Sequence, residues 1–247
     1  MARSALACAP APALAPALAP ALALAPALAL APALALAPAL ALALVAGLAA
    51  SCAAPKVQFT EGDVSVDADD YSAALASWTR SGKTYGDLEV RLRVTATFKS
   101  WGWTHAAVER LSEARALRAA DKAALKARYL DGYRARYEFV VAAWSSRPYY
   151  NNLDRKERSS WRIALEDDRG REAEPESVAK ISETIRKLPA EYRLLFPYSD
   201  EYSYVYLVSF KRPAEGEPGP VIGPDTRWIT LRFAGPLGRT DLVWSTE

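Results

Sequence analysis

LEVRLRVTATF, residues 88 to 98, is the stretch that decides how the chain is read. Leu88, Val90, Leu92, Val94, Ala96 and Phe98 alternate with Glu89, Arg91, Arg93, Thr95 and Thr97. A period of two puts every apolar side chain on one face, which predicts a strand buried on one side and wet on the other. Downstream, RYEFVVAAW (136–144) has a near-continuous apolar run, as expected of a strand covered on both faces. WRIALEDDRG (161–170) reads as a strand carrying Trp161, Ile163 and Leu165 into a turn at Gly170. SVAKISETIRKL (177–188) reads as a strand and a short helix closed by Pro189. YSYVYLVSFKR (202–212) is a β-branched and aromatic strand, and RWITLRFAG (227–235) pairs with TDLVWS (240–245) across PLGR.

About seven strands without βαβ spacing predict a mostly β protein, an antiparallel immunoglobulin-like β-sandwich. One segment changes period. Thr104 reads as a helix cap, Val108 and Leu111 share a face, and Asp121 reads as a second cap after a break at Ala119–Ala120, ahead of Leu125, Tyr129 and Tyr133. A helical insertion over about 104–135 follows. Ahead of the first strand, YSAALASW (71–78) predicts a short helix with Leu75 and Trp78 inward, and TRSGK (79–83) a turn at Gly82.

Composition changes abruptly near Cys52. Residues 1 to 51 are almost all Ala, Leu and Pro, with Arg3 as their only charge, while the seven Trp all lie beyond them. Setting Arg3 aside leaves 30 basic and 29 acidic residues, a balance that gives no global field to draw nucleic acid or an anionic membrane. The Ala-Leu-Pro repeats place a proline every four to six residues, too often for a transmembrane helix. Only ALALALVAGLAAS after Pro38 is free of proline, and it fits the apolar core of a secretory signal peptide. Arg3 stands far upstream, so either the repeat has lengthened that core or translation starts inside it. Residues 1–51 are expected to be a cleaved low-complexity signal peptide, 52–60 a lipidated tether and 61–247 the sandwich domain.

LAASC, residues 48 to 52, resembles the lipobox of bacterial lipoproteins, with Ala49 where that class usually has Leu. The resemblance implies acylation of the Cys52 thiol and removal of the preceding peptide. The alternative is an ordinary signal peptide cut nearby, leaving a lone thiol. Cys8 falls in the removed segment, so the mature chain has no disulfide partner for Cys52. The only histidine, His105, is more than fifty residues away, which argues against a catalytic thiol. Acyl chains add about 0.8 kcal/mol per buried methylene, so the membrane is the expected first partner, reached through Cys52. Ala53 and Ala54 stand where an inner-membrane aspartate signal would, which for a Gram-negative cell implies the outer membrane facing the periplasm. SWTRSGKTY, RVTATFKS and LRFAGPLGRTDLVW also resemble a group of bacterial envelope lipoproteins of unknown function, a likeness that implies no activity.

Catalytic residue types are scarce. One His and one acylated Cys cannot build a zinc site or a nucleophilic triad, so no metal, cofactor or catalytic residue is expected. His105 is expected at the surface. Asp63, Asp67, Asp69 and Asp70, like Glu166, Asp167 and Asp168, lack the calcium-loop glycine pattern and read as turn and solubility residues. Nine cations from Lys99 to Arg136 read as a solvated helical face. Trp101 and Trp103 read as a loop-to-helix junction with at least one ring buried.

The informative loop is SSRPYYNNLDRKERSS (145–160), which sets Tyr149, Tyr150, Asn151 and Asn152 between two strands, at an end of the sandwich. Rings beside amides can stack on and hydrogen-bond a sugar or a peptide, although tyrosines also cap sandwich ends. The expectation is a non-enzymatic, membrane-anchored binding or scaffolding domain with an envelope glycan or protein partner. Alternatives are a carboxylate-dependent glycan hydrolase and an envelope chaperone or assembly factor.

Overall fold

The computed structural model describes residues 55–62, 70–86, 89–214 and 216–247, all within the unit Ala54–Glu247. The lipobox, Cys52, the signal segment, Asp63, Asp67 and Asp69 lie outside the described residues, as does Leu88. What is described is mostly β, two antiparallel sheets with a few helices. In chain order the elements are α1 (Tyr71–Trp78), β1 (Thr79–Gly86), β2 (Glu89–Phe98), α2 (Trp101–Ala114), α3 (Ala119–Ala135) and β3 (Arg136–Trp144). There follow β4 (Arg162–Asp167), β5 (Glu172–Ala173), β6 (Ser177–Ser182), α4 (Ala190–Leu195), β7 (Tyr204–Lys211), β8 (Trp228–Gly235) and β9 (Gly238–Ser245).

The larger sheet runs β1-β2-β3-β7-β6 and the smaller β5-β4-β8-β9. Register pairs Phe98 with Phe139 and Phe139 with Val208, so these side chains share one face. That face meets the smaller sheet: the Phe139 ring lies 5.4 Å from Trp244, whose indole N–H donates to the Trp78 carbonyl at 2.9 Å. The opposite face of the larger sheet is covered as well. Val140 lines a small recess of about 60 Å³ together with Trp103, Tyr192, Leu195 and Phe196, and Trp103 stacks on Phe196 at 5.5 Å. The Tyr198 hydroxyl meets Thr97 at 2.9 Å and the Val140 carbonyl at 3.3 Å. This double cover explains the unbroken apolar run of β3, since both sets of alternate side chains are dry.

The polar stretch expected as a turn at 79–83 is instead β1, paired with β2 from Thr79–Thr97 to Gly86–Glu89. Gly82 is the reason. A Cβ there would sit 2.4 Å from the Thr240 Oγ1, so the glycine lets β1 lie close against β9. β1 and the two-residue β5 raise the strands from the expected seven to nine. The helical segment begins earlier than read: Ser100, not Thr104, caps α2 by accepting from the Trp103 N–H at 3.1 Å. The break before α3 falls at Arg115–Arg118, with Ala116 at φ 48°, and Asp121 sits in the first turn, paired with Arg118 at 3.1 Å.

His105, expected at the surface, is buried against Trp101, ring centroids 5.0 Å apart. Of the nine cations from Lys99 to Arg136, seven have a carboxylate partner, among them Arg115–Glu191 at 2.8 Å and Arg136–Glu176 at 3.1 Å, so the helical segment presents no basic field. Asp167, read as a solubility residue, is fully buried in the turn after β4. Its Oδ1 accepts from the backbone N–H of Arg169 (3.1 Å) and Arg171 (3.0 Å), and its Oδ2 from the Val221 N–H (3.1 Å) and the Arg171 guanidinium (2.7 Å). Asp168 accepts from the Arg227 N–H at 3.0 Å, so the acidic turn fastens the 221–227 connection.

Residues 55–62 run across one pole of the domain. Val57 and Phe59 are buried; the Val57 N–H donates to the Ser245 carbonyl (2.9 Å), and Phe59 meets Trp78 edge-on at 5.8 Å. The Arg80 guanidinium joins this segment to β9, donating to the carbonyls of Pro55 (2.5 Å) and Val243 (2.8 Å). Arg212, held between the rings of Tyr133 (4.6 Å) and Tyr137 (4.7 Å), pairs with Glu61 at 3.2 Å. These contacts gather at the last residues of β7 and β9, and the loops at the other ends of those strands form the opposite pole.

Candidate binding site at the 145–160 loop

The loop 145–160 leaves β3 at that opposite pole and folds back over the gap between the two sheets. Ser145 fixes its root by donating to the Arg91 carbonyl at 2.7 Å. Pro148–Tyr150 forms one 3-10 turn and Leu153–Arg158 a second, interrupted at Lys156 by backbone angles of φ 50° and ψ −123°. A left-handed φ at a lysine costs of order 1–3 kcal/mol and persists only when its surroundings hold it. They do: Leu153 is buried, the Trp161 indole N–H donates to the Tyr150 carbonyl (2.9 Å), and the Tyr206 hydroxyl donates to the Asn151 carbonyl (2.9 Å).

The four expected site residues divide. Asn152 is turned into the loop: its Oδ1 accepts from the Ser160 N–H (3.0 Å) and the Ser159 hydroxyl (3.4 Å), and its Nδ2 meets the Arg158 carbonyl (3.4 Å) and Ser160 Oγ (3.3 Å). Although it borders the cavity, its polar atoms are committed to the loop. Tyr150 is half-buried and braces Tyr149 edge-on, ring centroids 5.5 Å apart. Tyr149 stands 76% exposed at the rim, and Asn151 is buried in the wall, its Oδ1 without a hydrogen-bond partner among the described residues.

Tyr149, Asn151 and Asn152 border a cavity of about 340 Å³, completed by Arg155, Arg158, Lys180, Glu183 and Tyr204. The last three come from β7 and the end of β6, elements that sequence proximity does not connect with the loop. Lys180 pairs with Glu183 (3.0 Å) and Asp154 (3.6 Å) and lies 5.4 Å from the Tyr204 ring centroid. Arg155 and Arg158 are exposed, and neither guanidinium has an ion-pair partner among the described residues. The Lys180 side chain, with Lys187 and Arg155 nearby, holds the Glu183 carboxyl below the usual carboxylate range. The cavity therefore keeps a surplus of positive charge.

Two neighbouring recesses share the region. On the far side of the Leu153–Arg158 turn, a crevice of about 500 Å³ opens between β4 and the edge strand β6, floored by Leu153, Trp161, Ile163 and Val178. A shallower hollow of about 310 Å³ is lined by Val90, Arg93, Trp144 and Tyr202. Tyr85 (64%), Tyr149 (76%) and Tyr202 (70%) are the most exposed large apolar side chains described, and all three stand at this pole. That concentration of exposed apolar surface makes the pole the candidate contact surface of the described residues.

Among the described residues no group of three or more His, Cys, Asp or Glu side chains is placed to hold a metal ion, and no helix is long and apolar enough to cross a membrane. Every described carboxyl with a displaced pKa is displaced downward: Asp167, Glu183, Glu191, Asp200, Glu217 and Asp241. Compared with family models, curated proteins and solved structures, the chain matches none.

Proposed function

We propose that the protein is a membrane-anchored envelope lipoprotein whose domain binds a ligand and catalyses no reaction. The anchor in this reading is an acylated Cys52 following a cleaved signal peptide, in the outer membrane facing the periplasm if the cell is Gram-negative. The domain acts as an immunoglobulin-like scaffold in the sense that packed sheets present a binding loop at one end. The observation that carries the binding reading is the cavity under the loop, where Arg155 and Arg158 stand without carboxylate partners among the described residues, beside an exposed tyrosine.

The polarity of the domain supports the same reading. The segment nearest Cys52 in the chain, Pro55–Gly62, packs at one pole and the cavity opens at the other. β7 spans eight residues between them, about 23 Å at roughly 3.3 Å per step, so an anchored domain would hold its site away from the bilayer. The hydrolase alternative has less support. A general acid must hold its proton near neutral pH, and Glu183, the cavity-lining carboxyl with a displaced pKa, is displaced the wrong way.

Two experiments test the reading on the full-length chain expressed in a bacterium. Intact-mass measurement should find a mature N-terminus at an acylated Cys52, and Cys52→Ala should move the protein into the soluble fraction. A mature chain beginning elsewhere, or one still membrane-bound after the substitution, refutes the anchor. For the site, the purified protein in detergent should co-sediment with delipidated envelope polymers, and a Tyr149→Ala/Arg155→Ala/Arg158→Ala variant should not. Equal co-sedimentation refutes the loop cavity as the binding site.

A further inference from the structure

The geometry points to a sugar carrying an anionic group, a hexuronate or a phosphorylated hexose unit, as the ligand of the loop cavity. This rests on the binding reading above and adds the chemistry of what is bound. The charge requirement comes from Arg155 and Arg158, three residues apart on the Leu153–Arg158 turn, both exposed and both unmatched by a carboxylate among the described residues. Guanidinium forks recognise carboxylate and phosphate through paired charge-assisted hydrogen bonds. Lys180 also lines the cavity, but Asp154 and Glu183 balance its charge while the Tyr204 ring packs beside it, so the unmatched charge is that of the two guanidinium groups.

Charge alone would describe a site for any small anion. Two features ask for more. The Tyr149 ring stands exposed at the rim with Tyr150 bracing it at 71°, a preset apolar platform of the kind on which a pyranose face stacks. Deeper, the wall includes Asn151, whose Oδ1 is buried and lacks a donor among the described residues; turned into the cavity, it would accept from a ligand hydroxyl where phosphate dianion or a bare carboxylate offers none. Size agrees as well. About 340 Å³ lies at the lower end of the range of small-ligand pockets, roughly 300–1,000 Å³, which suits a single sugar unit. A longer acidic chain would extend from that unit toward the hollow beside Trp144 and Tyr202.

The test is titration calorimetry on the detergent-solubilised full-length chain with four probes: a tetrameric hexuronate, a neutral hexose tetramer, hexose 6-phosphate and inorganic phosphate. The hexuronate or the sugar phosphate should bind at least about tenfold more tightly than the neutral tetramer, and Arg155→Ala/Arg158→Ala should weaken that binding about tenfold or more. Tyr149→Ala should weaken the acidic sugar and leave inorganic phosphate unchanged. All three side chains are exposed, and unaltered near-ultraviolet circular dichroism confirms that the variants fold. Equal binding of neutral and acidic tetramers overturns the charge requirement. Inorganic phosphate binding as tightly as either acidic sugar, with Tyr149→Ala inert, overturns the saccharide. If no acidic sugar binds while the triple variant still loses co-sedimentation with envelope polymers, the ligand class is wrong and the binding reading stands. If neither responds, both fall.

Discussion

Replacing Asp167 should cost more stability than any other substitution of an acidic side chain in the turn after β4. The carboxylate is fully buried and accepts from three backbone N–H groups and the Arg171 guanidinium. In Asp167→Ala those donors lose their acceptor together. At about 1 kcal/mol for each N–H and about 1.5–3 for the charged bond, less what the half-exposed Arg171 regains from water, the loss is about 3–5 kcal/mol. For a domain of this size that lowers the melting temperature by roughly 10 °C. Asp167→Asn keeps the volume but points an amide N–H₂ at two donors, and should cost about 2–3 kcal/mol. The assay is urea denaturation followed by tryptophan fluorescence, repeated across pH. Burial alone would raise the Asp167 pKa, but the Arg171 side chain and the N–H groups of Arg171, Val221 and Arg169 outweigh it and hold the carboxyl below the usual range. A depressed folded pKa gives stability that is complete above the unfolded value near 3.9 and is lost as pH falls through the lower folded value. The gap between wild type and Asp167→Asn should therefore be constant from about pH 5 upward and shrink below about pH 4. A loss under about 1 kcal/mol for the alanine variant, or a gap that widens in acid, would refute this account of the turn.

Other expectations concern the loop and the two poles. Gly235→Ala would place a Cβ 2.0 Å from the Ser160 carbonyl oxygen, and should cost about 2 kcal/mol or more in chemical denaturation while loosening the loop end. Asn152→Ala removes the four contacts that close residues 152–160, so amide exchange of Ser160 and Trp161 should accelerate by at least about tenfold with little change in β3. Arg212→Lys keeps the charge near Glu61 but loses the planar stack between Tyr133 and Tyr137, and thermal melts should report about 1–2 kcal/mol.

Local periodicity carried the sheets: the alternation of β2 and the dense run of β3 both mark strands in the sequence, and the dense run also announces burial on two faces. β1 escaped because Thr79–Lys83 is polar and contains a glycine, and the reason for that glycine, Thr240 on β9, lies far along the chain. The burial of Asp167 and of His105 is not legible from residue type. Type and position suggest exposure for both; the Val221 N–H that meets Asp167 is brought there by tertiary packing, whereas Trp101 stands one helical turn before His105 on α2, a neighbour that the spacing alone contained. The loop could be found because Tyr-Tyr-Asn-Asn between two strands is an unusual composition for a connection. Which of the four residues face a ligand could not, since the inward turn of Asn152 depends on Ser159 and Ser160, and the cavity's far wall comes from β6 and β7.

The pole opposite the loop has a mechanical consequence. Pro55–Gly62 is fastened by separate contacts: Val57 to Ser245, the Pro55 carbonyl to Arg80, Phe59 against Trp78, Glu61 to Arg212, and the Gly62 carbonyl to Trp101 at 2.7 Å. Tension on the chain's N-terminal side meets these one at a time, before any strand pairing within the sheets is loaded. If Cys52 is the anchor, as proposed, peeling away these eight residues would add about 27 Å of contour length, at roughly 3.4 Å each, between anchor and domain. Seating of Val57 and Phe59 thus sets how much of the chain on that side is free of the domain.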